Sequence, residues 1–97
     1  MRYHIIFAQE ALNDFRLLSA HRRAAVRDAI NLHLSHEPTR LSRSRIKRLR
    51  DMEKPQYRLR VADIRVFYDV HGQEVEVLAI VDKRHAAEWL ERSGKPS

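Results

Sequence analysis

The spacing of apolar positions changes along the chain. Residues 2–7, RYHIIF, make a short apolar run suited to a first strand. From Ala8 to Ala20 the apolar positions Ala8, Ala11, Leu12, Phe15 and Leu18 recur at helical spacing, with polar residues between them. His21-Arg22 marks a junction. Val26, Ala29, Ile30, His33 and Leu34 then share the apolar side of a second helix, which stops before Pro38 because the residue preceding a proline disfavours helical backbone. The two helices make a hairpin. The segment TRLSRSRIKRLRDMEKP reads either as a basic loop feeding a short strand near Arg45–Leu49 or as the tail of the helical region.

From Tyr57 onward the period is two. Tyr57, Leu59 and Val61 alternate with Arg58, Arg60 and Ala62, and Ile64, Val66, Tyr68 and Val70 alternate with Arg65, Phe67 and Asp69. A turn at Ala62-Asp63 places Val61 opposite Ile64 and Arg60 opposite Arg65. A second turn around His71-Gly72-Gln73 leads to EVEVLAIV, where Val75, Val77, Ala79 and Val81 continue the buried face and Leu78 and Ile80 join Phe67 on the other. DKRHAAEWLERSG fits a short C-terminal helix that packs through Ala86, Trp89 and Leu90 and closes near Gly94. The order β-α-α-β-β-β-α predicts an α+β domain: an antiparallel β-sheet, an N-terminal helical hairpin packed on one face, a short C-terminal helix, and the other face largely open.

Composition narrows the class. With 97 residues and no internal repeat, residues 1–97 are expected to form a single domain. No apolar run approaches the roughly 18 residues of a membrane span, and MRYHIIFAQE turns acidic and helical too early for a signal peptide. Cysteine is absent, which excludes disulfides and thiolate chemistry. A cytoplasmic protein that avoids the membrane is the default expectation.

Charge changes the picture more. Of the formal +6, the segment from Pro38 to Arg65 holds ten basic against three acidic residues, leaving nine against ten elsewhere. A central excess of this kind suits a polyanion-binding surface, and it also suits a solvated basic loop. The Arg60/Arg65 opposition adds to this, because like charges facing each other across a strand pair destabilise a sheet. An anion between them resolves the conflict, since planar guanidinium groups match phosphate oxygens. Phe67, Leu78 and Ile80 would offer apolar surface for a base. The alternative is a salt-bridge network with Asp69, Glu74 or Glu76. His4, His21, His36 and His71 show no metal-ligand spacing, and Tyr57 and Tyr68 read as core.

LRDM at 49–52, YRLRVADIRVFYDV at 57–70 and VEVLAIVDKRHAAEWL at 75–90 resemble the RelE/ParE superfamily of toxins from type II toxin–antitoxin pairs, over nearly the whole chain. The resemblance implies a compact toxin wrapped by a small cognate antitoxin with an acidic segment. Operator DNA would be contacted only through that antitoxin. The RelE-like branch, which the basic strands favour, cuts mRNA on the ribosome. The ParE-like branch inhibits DNA gyrase without nuclease residues, and a non-toxic member would act only in an antitoxin–operator complex.

For the RelE-like branch the expected chemistry is metal-independent: the ribose 2′-OH attacks the adjacent phosphate, and no cofactor is required. Arg65 and Arg84 match its stabilising arginines and Arg58 and Arg60 its strand cations, with Arg48, Arg50 and Lys54 as further phosphate contacts. Leu90 stands where such toxins commonly carry a tyrosine. His85 is the substitute acid/base, with a solvated histidine at a helix start as its plain alternative.

Overall fold

The computed structural model describes residues 2–97. Strand β1 (His4–Phe7) leads into α1 (Gln9–Leu17) and α2 (Ala20–Ala29), whose last turn loosens into a π-helical turn over Ile30–Leu34. Strands β2 (Ile46–Arg48), β3 (Met52–Lys54), β4 (Tyr57–Val61), β5 (Ile64–His71) and β6 (Glu74–Asp82) follow. A 3-10 turn over Lys83–His85, α3 (Ala86–Ser93) and the two-residue strand β7 (Lys95–Pro96) complete the chain. The main sheet has the order β1-β6-β5-β4-β2, and β3 pairs with β7 in a small second sheet.

The α+β architecture is the expected one, with three refinements. The break between the helices falls at Leu18-Ser19 rather than at His21-Arg22, because the Ser19 hydroxyl accepts the Arg22 N–H at 3.3 Å and caps α2. The basic segment does form a strand, β2, at the sheet edge beside β4. Strand β1 runs parallel to β6, while every other pair in the main sheet is antiparallel.

The core lies between the helical hairpin and one sheet face. Ala11 of α1 and Val26, Ile30 and Leu34 of α2 and its extension meet Leu59, Ile64, Val66, Tyr68, Val75, Val77 and Ile80. Each large apolar side chain buried in this way contributes about 1.5–3 kcal/mol. Tyr68 stacks on Tyr57 at 5.4 Å between centroids and donates its hydroxyl to the Pro38 carbonyl at 2.6 Å, pinning the end of the helical region to the sheet.

Two expectations about the opposite face are corrected. A β-bulge at Leu78 shifts the phase of β6: Phe67 pairs with Ala79, whereas Tyr68 already pairs with Val77. Ile80 therefore joins the core, and Ala79 and Val81 take its expected place beside Phe67. Nor is that face left open. Helix α3 lies on it, and Trp89 stacks on Phe67 at 5.0 Å with the planes 6° apart, over a second cluster that includes Leu78 and Ala79.

Candidate nucleic-acid interface

The turn between β4 and β5 sets the site. Ala62 takes φ +52°, and the Asp63 carbonyl accepts the Lys83 N–H at 2.7 Å, so the turn is tied to the end of β6. The resulting register pairs Val61 with Ile64 and Arg60 with Arg65, as the alternation predicts. Continued across the strands, it makes two rows on one face. Lys47, Arg58, Phe67 and Ala79 form one; Arg60, Arg65 and Val81 form the other.

None of Lys47, Arg58, Arg60 and Arg65 has a carboxylate within ion-pair distance among the described residues. The acidic partners that could have neutralised them sit further along. Asp69 pairs with Glu76 and His71 with Glu74, beyond the Phe67–Ala79 row. One terminal nitrogen of Arg65 donates to main-chain oxygens, at 2.9 Å to Ala62 and 3.1 Å to Ile64, and these neutral acceptors leave its charge uncompensated.

Arg58 is the most constrained member. It is half-buried, and its Nε is the one buried side-chain polar atom among the described residues without a hydrogen-bond partner. Burial lowers its pKa below the usual arginine value, and the charges of Arg65 and Arg60 lower it further. A buried donor without an acceptor costs about 1–3 kcal/mol, so the sheet holds Arg58 here at some cost to its own stability.

The other sequence-predicted residues do not join this patch. Arg48 pairs with Tyr57 and so projects from the helical-hairpin face. It lies 5.4 Å above the Tyr57 ring and donates to the carbonyls of Gln56 at 2.8 Å and Leu49 at 3.0 Å, holding the loop after β2. Arg50 projects exposed from the turn after β2, and Lys54 lies half-buried on β3, both outside the two rows.

Arg84 is turned away. Its Nε donates to Asp82 Oδ1 at 3.1 Å, and the other Asp82 oxygen lies 3.7 Å from Arg22 of α2, on the helical side. His85 is exposed, with no hydrogen-bond or ion-pair partner among the described residues, and Leu90 is half-buried in the cluster beneath α3. Lys47 was not singled out from the sequence. Its signal was the phase of β2, in which Ile46 faces the core and Lys47 the patch, hidden because the surrounding residues are nearly all basic.

Apolar surface for a nucleobase is also missing: Phe67 is 1% exposed beneath Trp89 and Ile80 is in the core. The patch therefore offers charge without a stacking platform. It can hold a sugar–phosphate backbone.

No protein-family model matches the chain, and no curated protein matches it in sequence. Solved structures do match. The RelBE2 toxin–antitoxin complex from Mycobacterium tuberculosis contains a chain 25% identical to this one, with a TM-score of 0.70 over 84% of this chain and 99% of that chain. The archaeal RelE–RelB complex from Pyrococcus horikoshii OT3 gives 0.70 at 19% identity, over 86% and 97% of the two chains. A mutant of the E. coli toxin RelE in the free state gives 0.67 at 22% identity, over 96% and 99%. The fold is that of the RelE-like toxins.

Proposed function

We propose that this chain is the toxin of a type II toxin–antitoxin pair and that it acts as an endoribonuclease on ribosome-bound mRNA. The observation that carries the reading is the uncompensated cationic patch of Lys47, Arg58, Arg60 and Arg65 on this fold, with the unpartnered Arg58 Nε at its centre. Arg58 and Arg60 grip the message backbone, and Arg65 stabilises the charge that builds on the phosphate as the 2′-OH attacks. Arg84 and His85 follow directly on β6, whose Val81 stands across from Arg65. Both side chains are exposed and rotate onto the substrate, Arg84 as a second stabiliser and His85 as the acid/base. The ribosome supplies the orientation that so sparse a site lacks, an effect that reaches several orders of magnitude. The partner is a cognate antitoxin, as the RelB-bound neighbours support, and charge complementarity favours an acidic segment of it screening the patch.

One observation favours a second reading. Among the described residues no histidine stands in the two rows of the patch, as a ParE-like gyrase inhibitor that binds without cleaving would allow. Expression of the chain alone separates the two. Rapid loss of protein synthesis, with cuts in translated messages and few in naked transcripts, supports the nuclease. Loss of DNA supercoiling with translation intact overturns it in favour of the gyrase reading.

A further inference from the structure

The opposite end of the same sheet face carries the reverse conflict. Asp69 and Glu76 are directly paired across β5 and β6, and two like charges in that relation cost stability unless a cation stands between them. His71, two positions beyond Asp69 on the same strand, projects on the same side. Its Nε2 lies 3.9 Å from Asp69 Oδ2, and one ligand atom from each of Asp69, His71 and Glu76 lies within 4.8 Å of the others.

Asp69 is 2% exposed. Its Oδ1 accepts the Gln56 N–H at 2.7 Å, which fixes the carboxylate, while Oδ2 receives no hydrogen bond among the described residues and is aimed at His71. The cleft beside it, about 290 Å³, is lined by Glu53, Lys54, Gln56, Asp69, His71 and Lys95. Neither lysine comes within ion-pair distance of Asp69 or Glu76.

We propose that Asp69, His71 and Glu76 form a surface site for a transition-metal dication of the Zn²⁺ class, bound by three protein ligands with water completing the shell. One imidazole and two carboxylates suit Zn²⁺ better than Mg²⁺, which prefers all-oxygen octahedra. Zn–O and Zn–N bonds of about 2.0–2.2 Å need ligand atoms about 3.5 Å apart, closer than they stand here. The buried Asp69 stays in place, while the exposed His71 and half-exposed Glu76 close the difference. The histidines show no ligand spacing in sequence because the partners are carboxylates, one of them brought in by strand pairing. The bound ion would staple the β5–β6 hairpin to the loop that Gln56 anchors, away from the arginine rows.

Calorimetric titration of the full chain with ZnCl₂ tests this. One saturable site per chain is expected, with no comparable heat from MgCl₂. Replacing a ligand should weaken binding at least about tenfold, so His71→Ala and Glu76→Gln do so while His21→Ala leaves it unchanged. The thermal midpoint of the wild type rises with Zn²⁺ and that of His71→Ala does not, whereas in EDTA the two agree, which separates ligand loss from misfolding. Absence of a saturable site, or Zn²⁺ binding that His71→Ala leaves intact, overturns the proposal.

Discussion

The indole of Trp89 lies flat on the ring of Phe67, and its Nε1 donates to Glu10 Oε2 at 2.6 Å. Helix α3 is thereby fastened both to the sheet and to α1. Trp89→Ala removes the stack, opens a cavity over Phe67 and leaves Glu10 without its donor. A loss of about 3–5 kcal/mol is expected, read from urea denaturation midpoints. Trp89→Phe keeps the stack and loses the hydrogen bond, so it should cost about 1–2 kcal/mol. Equal losses in the two variants would mean that stacking contributes little.

The opposed arginines predict a loss of binding without a matching loss of stability. Arg65→Thr relieves a like-charge pair worth roughly 0.2–1 kcal/mol at a strand position where threonine fits well, and it gives up the contacts to the Ala62 and Ile64 carbonyls, so the two effects offset and stability should stay close to wild type. The same change should weaken single-stranded RNA binding about tenfold and reduce the slope of log affinity against log salt by about 0.7. Arg48→Ala, on the other face, should leave the salt slope unchanged and lower stability through its lost carbonyl contacts. Filter binding across a salt series, with thermal melts beside it, separates these outcomes.

Asp82 holds Arg84 away from the patch. The backbone and side-chain N–H groups of Arg84 both bond to this carboxylate and hold its pKa below the usual value, with Arg22 adding attraction from α2. The Asp82→Asn side chain still caps the 3-10 turn but binds the guanidinium far less strongly. RNA affinity should therefore rise by about two- to fivefold, the modest scale expected of releasing one exposed ion pair. The gain should vanish in the Asp82→Asn/Arg84→Ala double variant. If the gain persists there, the contact does not govern Arg84.

Legibility in the sequence followed where polar residues marked the phase of a strand. Between Tyr57 and Val70 arginines and aliphatics alternate, so the register that opposes Arg60 to Arg65 was readable. Between Val77 and Val81 every residue is apolar, nothing marks which side is inward, and the bulge at Leu78 passes unseen. In β2 the difficulty is the reverse: Lys47 and Arg48 are both basic and point to opposite faces, so charge alone does not tell which of them shares the face of Arg58. The apolar side of α3 was evident from Ala86, Trp89 and Leu90. Its landing place was not, because amphipathy marks which side of a helix is buried and leaves the facing surface open.

Asp14 ties α1 to β6 where the parallel strand has run out. Strand β1 pairs as far as Val77, and further along β6 the Ile80 N–H is accepted by Asp14 Oδ2 at 2.9 Å. Burial raises the Asp14 pKa above the usual carboxylate value. The Ile80 hydrogen bond opposes that shift, and the nearby Glu10 charge adds to it. The folded state therefore holds the proton more tightly than the unfolded chain, and the associated stability is fully present below the unfolded value. It is lost as pH rises through the raised folded value. The Asp14→Asn side chain retains an acceptor for Ile80 and carries no charge, so this part of the pH dependence disappears. At pH 7 the variant should match or exceed the wild type. Asp14→Ala leaves the N–H unsatisfied and should cost about 1–3 kcal/mol at every pH. Denaturation midpoints from pH 3.5 to 7 distinguish the cases, and an asparagine variant clearly weaker than the wild type at pH 7 would show that the ionised carboxylate is the form this strand end requires.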